Sequence, residues 1–352
     1  MFKVCLRCDG EIWPGSSQFG RQKYCSDRCR KSSFKKSKSR KLRIDQRRAN
    51  LPLNLEFIKL VNECLRAGTV QILSGHDSRS FSLTMELVRN RPKFDVNLCH
   101  IYPVRGDGCT GLFHYQNLFY GGAYQNKVLG NSHFGAGLSI ANSLLERKWQ
   151  VWEGMPMREV LCKIENFLGE TLNGYLAIMP VRKSPKAVLA QRILEVSPES
   201  TLESLMSKTS RDLALLWREK TKQRAFFVTA KRQESKYVCY LDELSRFISY
   251  GGIRSKYFQR VRRLLLVGYI CLSKIEESRT FNEEAASRYS SLLHSNCDFH
   301  LKHRESWSEF KDFLYEVAFY ALQGMSINLI SLTLTFSRYV NLRRCYITKS
   351  TQ

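Results

Sequence analysis

Two cysteine pairs near the N-terminus, Cys5-x2-Cys8 and Cys25-x3-Cys29, are separated by sixteen residues. Each pair can offer two thiolates from one tight turn, and a tetrahedral zinc site needs two such turns brought together. Residues 1–29 are too few to bury a core, so the metal would supply their folding energy. The alternative is four unconnected cysteines, and the pair spacings favour zinc. Four thiolates close the coordination sphere and leave no open position, so the expected role of Cys5, Cys8, Cys25 and Cys29 is structural. Ser26-Asp27 provides a helix N-cap directly after Cys25, which places the second pair at the start of a helix running on into basic sequence.

The segment resembles small treble-clef-like zinc fingers with "YCSDRCR" endings, found at the N-termini of many phage and bacterial proteins. Beyond it lies a low-complexity basic arm, residues 30–50, with ten Lys/Arg and one acid between Arg30 and Arg48. Residues 1–50 carry a net charge of +11 out of +24 for the chain. Charge this concentrated attracts polyanions and gains from counterion release, so Lys35, Lys36, Lys38, Arg40, Lys41 and Arg43 are candidate phosphate contacts. Such contacts give affinity without sequence specificity. The plain alternative is a solvated linker.

The remaining composition narrows the class. With 43% hydrophobic residues, the chain can bury real cores. The longest apolar run, Leu264–Leu272, has nine residues, well short of the ~20 a membrane-spanning helix needs. Met1–Trp13 has no apolar signal-peptide region. Twelve cysteines without an export signal point to reduced thiols and a cytoplasmic setting.

Residues 51–145 hold turn-rich mixed sequence, and 146–352 read as helical. Capping boxes are expected at Ser200/Glu203 and Ser306/Glu309, and stops at Gly251-Gly252 and Gly324. Within the mixed zone, Val96, Leu98 and Ile101 suit a strand, and Leu118-Phe119-Tyr120 a returning one. Gly121-Gly122 should open a short helix over Ala123–Leu129 that closes at Gly130.

The stretch Asp95–Asn131 reads DVNLCHIYPVRGDGCTGLFHYQNLFYGGAYQNKVLGN. It resembles the HNH, or ββα-metal, nuclease superfamily, with its "His-Ile-x-Pro … Asn-Leu … Asn-x-x-x-Gly" pattern. His100-Ile101-Tyr102-Pro103, Asn117-Leu118 and Asn126 supply the three elements. The resemblance implies that His100 is the general base and that Asn117 is the scaffold residue holding the loop that aims it. It implies that Asn126 is an oxygen ligand to a catalytic Mg²⁺ or Mn²⁺, and that products carry 5′-phosphate and 3′-hydroxyl ends. The family places Asp or His before the catalytic histidine, and here stands Cys99. Three readings follow: Asn126 holds the ion with help from Asp95, Asn97 or Asp107; Cys99 takes a softer ion such as Zn²⁺; or the site is inactive. Cys99 also suits a small buried residue.

His133 reads as a surface residue and His114 as a strand-edge or DNA-facing one. Arg254–Arg263 reads as an amphipathic helix packed on a core, or as a nucleic-acid contact, and residues 307–340 as two helices around Gly324. His294, Cys297, His300 and His303 recur every three residues, which on a straight helix spreads them around the axis rather than onto one ion.

The expectation is therefore an α+β chain: a zinc finger (1–29), a basic arm (30–50), a ββα-metal core (51–145) and a mostly helical targeting or partner region (146–352). Its partner would be nucleic acid, double-stranded DNA in preference, with no membrane and a protein partner available to the helical region. The resemblance suggests a phage or other mobile element as its setting. The rival is a non-catalytic nucleic-acid-binding protein with a degenerate HNH fold.

Overall fold

The computed structural model describes residues 2–15, 19–92, 95–225, 236–273, 275, 288–289 and 299–342. The chain runs β1 (Lys3–Val4), β2 (Glu11–Ile12), α1 (Asp27–Ala49), α2 (Leu55–Ala67) and α3 (Ser78–Arg89). Next come β3 (Val96–His100), β4 (Cys109–Gly111), β5 (Leu118–Gly122), α4 (Ala123–Leu129) and β6 (Ser139–Ala141). Helices follow: α5 (Met157–Leu168), α6 (Glu170–Ile178), α7 (Pro185–Val196), α8 (Leu202–Ser207), α9 (Ser210–Thr221), α10 (Lys236–Ser249) and α11 (Ser255–Ser273). The last described elements are β7 (Phe299–Leu301), α12 (Trp307–Leu322), α13 (Leu329–Tyr339) and β8 (Val340–Leu342). The fold is thus mostly helical, with short two-stranded sheets. None of the described helices is long and apolar enough to cross a membrane.

The chain packs as two compact units, residues 1–58 with 169–226 and residues 59–168 with 227–352. In the first, the hairpin β1–β2 precedes α1, whose N-cap Ser26 accepts the backbone N–H of Cys29 through its hydroxyl, as the sequence suggests. The basic arm is not an irregular linker, because α1 runs unbroken through it. Lys, Arg and Gln are strong helix formers. The C-terminal end is anchored: Arg47 donates to the Leu176 carbonyl and Arg48 to Asn173 Oδ1, both at 2.6 Å. Lys35, Arg40, Lys41 and Arg43 are exposed, while the side chains of Lys36 and Lys38 lie outside the described residues.

In the second unit, β3 and β5 pair antiparallel from Val96↔Gly122 to His100↔Leu118, and α4 follows β5 directly and packs on both strands. One apolar cluster joins Cys99, Ile101 and Phe119 of this hairpin region to Tyr240, Val261 and Phe319 of the later helices. The hairpin and the C-terminal helices therefore share a single core, and the boundary at 145/146 is not a boundary in packing. Alternation explains this: Cys99 and Ile101, two residues apart, share the face that meets the helical core, because the pleat sends alternate side chains to opposite faces.

Several local expectations shift by small amounts. Thr201, not Ser200, caps α8, accepting from the Ser204 amide. Ser306 is the N-cap of α12 but makes no capping bond with its side chain. Gly251, Gly252 and Gly324 all have positive φ after helices, as expected of stops. In α11, Phe258 and Val261 are buried in the core, which favours the packed-helix reading of Arg254–Arg263. His300 lies on β7, paired with Asn341, and His303 is exposed, so these two are not on one helix. His294 and Cys297 lie outside the described residues.

Candidate active site

The N-terminal cysteines converge. Sγ of Cys8 lies 3.5 Å from that of Cys25 and 3.7 Å from that of Cys29, and Cys25 is 3.5 Å from Cys29. The four sulfurs, Cys5 included, all lie within 4.8 Å of one another. Four bonds of about 2.3 Å to a tetrahedral zinc put sulfurs ~3.8 Å apart, so the cluster fits a structural zinc ion. The first pair sits in a turn closed by Asp9 N–H donating to the Cys5 carbonyl and Cys5 N–H donating to that of Gly10. Cys25 precedes the cap of α1 and Cys29 sits in its first turn.

In the second unit a polar cleft of about 280 Å³ opens at the end of β3. Its lining includes His100, Asn126 of α4, Arg66 of α2, Arg105 and Gln323, which directly follows α12. None of its lining residues among those described is a carboxylate. Two of the three motif positions thus meet at one cleft, because α4 follows directly on β5 and packs against β3.

Asn117 lies behind them, fully buried. Its Oδ1 accepts from the Tyr102 amide at 2.9 Å and the Leu138 amide at 3.0 Å. Its Nδ2 donates to the carbonyls of Leu112 at 2.8 Å and Tyr102 at 3.2 Å. The amide is satisfied on both ends and grips the loop immediately after His100. Two glycines let the backbone close around it. Gly137, with φ +99, presses on Asn117 Oδ1 and the Tyr102 amide, and Gly111 presses on the Tyr102 and Pro103 carbonyls, where a Cβ would overlap those atoms.

His100 is held from two sides. Arg66 Nη2 lies 3.3 Å from its Nδ1, and Gln323 Nε2 donates to its carbonyl at 3.1 Å. A guanidinium only donates, so Nδ1 accepts and the neutral ring carries its proton on Nε2. That buried Nε2 has no hydrogen-bond partner among the described residues. Burial, reinforced by the charges of Arg66 and Lys59, pushes the imidazole down to about 3.

Cys99 also borders the cleft, but from within the apolar core. It is 1% exposed, belongs to the apolar cluster and stands opposite Phe119 in the register. Burial raises its thiol to about 12, so it holds its proton and does not suit a metal ligand in the cleft. Asp95 pairs with Lys236 and lies at the far end of β3 from His100, about 16 Å along an extended strand. Asn97 Oδ1 faces Arg91 at 3.4 Å, and Asp107 is exposed in the turn before β4. The four-cysteine cluster is the one grouping of three or more His, Cys, Asp or Glu ligand atoms among the described residues.

His114 is neither at a surface nor facing outward. It is buried and stacked on His76, ring centroids 4.7 Å apart. His133 lies past the end of α4 and packs on the Tyr102 ring at 4.4 Å.

Sequence reading missed Arg66, Arg105, Gln323 and Arg246. Arg246 of α10 forms a buried ion pair with Glu243 and donates to the carbonyls of Tyr115 and Leu118, bracketing Asn117. None of the four is one of the motif positions; Arg105 is close in sequence, and the fold brings the other three to the hairpin. The chain matches no family model, no curated protein and no solved structure.

Proposed function

We propose that the protein is a metal-dependent HNH endonuclease that hydrolyses phosphodiester bonds in nucleic acid, DNA in preference, and that the basic helix α1 contributes backbone affinity. One observation carries this reading: His100 and Asn126 line the same polar cleft while Asn117 secures the loop behind His100. The order of β3, β5 and α4 is that of the superfamily's strand–strand–helix core.

The one motif residue that would hold a cation here, Asn126, would suit a hard ion better than a soft one. Asn126 would offer it an amide oxygen, and substrate and water would have to supply the other ligands. When bound, the cation supplies positive charge for the developing negative charge on the phosphate and the leaving oxygen. The chain's own groups do the rest. Arg66 and Arg105 offer charge-assisted bonds to a phosphate entering the cleft. Turning Arg66 toward that phosphate releases His100 Nδ1, raises the basicity of the ring and lets the proton reside on Nδ1. Nε2 is then the lone pair that takes a proton from water. Asn117 keeps the ring aimed throughout.

The test is incubation of purified protein with supercoiled plasmid, single-stranded DNA and RNA in Mg²⁺, Mn²⁺, Zn²⁺ or EDTA. The proposal expects nicked or linear product with Mg²⁺ or Mn²⁺, bearing 5′-phosphate ends, and none in EDTA. A second reading, binding without cutting, draws on the absence of any carboxylate among the described lining residues of the cleft. Tight binding with every substrate intact in every metal would favour it.

A further inference from the structure

Gln323 lies 223 residues beyond His100 in sequence and is 1% exposed, yet it lines the same cleft. It is not needed to finish its helix. Arg254 already donates to the carbonyls of Ala321 and Met325, and Gly324 turns the chain away with φ +103. Its side chain instead reaches His100. The carbonyl it meets can only accept, so the nearer amide atom is Nε2 and the other is Oε1. That Oε1 has no hydrogen-bond partner among the described residues.

Two residues that line one cleft thus each carry a buried atom without a partner among the described residues, His100 Nε2 and Gln323 Oε1. Leaving a buried polar atom unbonded is costly, so each calls for a hydrogen-bond partner. A phosphate oxygen would satisfy a ring N–H but not an amide oxygen, and a cation would do the reverse. Water satisfies both in either tautomer of His100. With the ring proton on Nε2, the water accepts from Nε2 and donates to Oε1. With the proton on Nδ1, it donates one hydrogen to Nε2 and the other to Oε1, leaving its lone pairs for phosphorus. The cleft has room for several waters at ~30 Å³ each.

We propose that Gln323 is a positioning residue for the attacking water, its oxygen anchoring one O–H while His100 takes the other. The catalytic half of this rests on the nuclease reading; the water site itself does not. Gln323→Met keeps the length of the side chain and removes the acceptor oxygen, whereas Gln323→Glu retains an acceptor. For the cutting protein, the Met variant should lose about 10- to 100-fold in kcat, the scale of one hydrogen bond to a reacting group, with KM for nucleic acid unchanged. The Glu variant should retain most of the rate and shift the pH profile upward, since a carboxylate raises the basicity of a nearby imidazole. Equal kcat in wild type and Met variant, or equal losses in Met and Glu variants, would overturn the proposal. A high-resolution crystal structure of the full chain gives the readout independent of activity: a water within hydrogen-bonding distance of both Oε1 and Nε2 supports it, and an Oε1 without water overturns it. If wild type cuts nothing, the nuclease reading falls while this crystallographic result still decides the water site.

Discussion

Asn117 Oδ1 accepts the backbone N–H of Tyr102 at 2.9 Å and so fixes the loop two residues beyond His100. The same side chain makes three further bonds, to Leu138, Leu112 and the Tyr102 carbonyl. Asn117→Ala strands these buried backbone groups at once, so the protein should lose roughly 2–4 kcal/mol of stability. Denaturant unfolding measures it, and a loss under 1 kcal/mol would show that the loop closes without Asn117.

Cys99→Asp separates family pattern from packing. By pattern, the change restores a carboxylate before the catalytic histidine. By packing, it buries a charge against Phe119 and the helical core, which typically costs about 3–5 kcal/mol. The Asp variant should therefore unfold at much lower temperature, while Cys99→Ala stays folded and cuts as wild type does. A stable Asp variant with enhanced Mg²⁺-dependent cutting would show that position 99 reaches the ion.

His100 and His76 are both held neutral by burial, at about 3 and about 4. In the unfolded chain each titrates near 6.5. Between those values the unfolded state binds more protons, so stability is full above pH 6.5 and declines as pH falls toward 4. Equilibrium unfolding across pH 4–8 checks this. His100→Gln should flatten part of the slope, and Arg66→Met should raise the His100 pKa in an NMR titration.

Cys25→Ser should remove zinc from the N-terminal cluster. Elemental analysis of the full chain should give one zinc in wild type and less than one in the variant, and equal metal content in both would remove the cluster from the account. Along α1, neutralising the exposed Lys35, Arg40, Lys41 and Arg43 should weaken binding to duplex DNA. Each lost phosphate contact lowers the log–log salt slope by ~0.9, and an unchanged slope would make the helix a spacer.

How much of this was legible in sequence depended on the range of the interactions. The span of α4, the strand order around it and the Ser26 cap are local, set by Gly121-Gly122, Gly130 and one hydroxyl, and they stand where the sequence puts them. The cysteine spacing likewise encodes its own convergence. Illegible were the side of β3 that Cys99 faces toward later helices, and the arrival of Gln323 and Arg246 at the hairpin. Those follow from α10 and α12 packing on β5, which no local pattern announces. The helix running on from Ser26 into the basic arm was legible from its cap, but its anchoring by Arg47 and Arg48 was not.

The central claim is that His100 takes a proton from water during phosphodiester hydrolysis, and it is tested most directly by comparing wild type with His100→Ala on supercoiled plasmid in Mg²⁺ and in Mn²⁺. The account predicts a cleavage rate lower by ~10²–10⁴ in the variant, the usual contribution of general acid–base catalysis, with nucleic-acid affinity and melting temperature nearly unchanged. Cleavage by His100→Ala at the parental rate would contradict it.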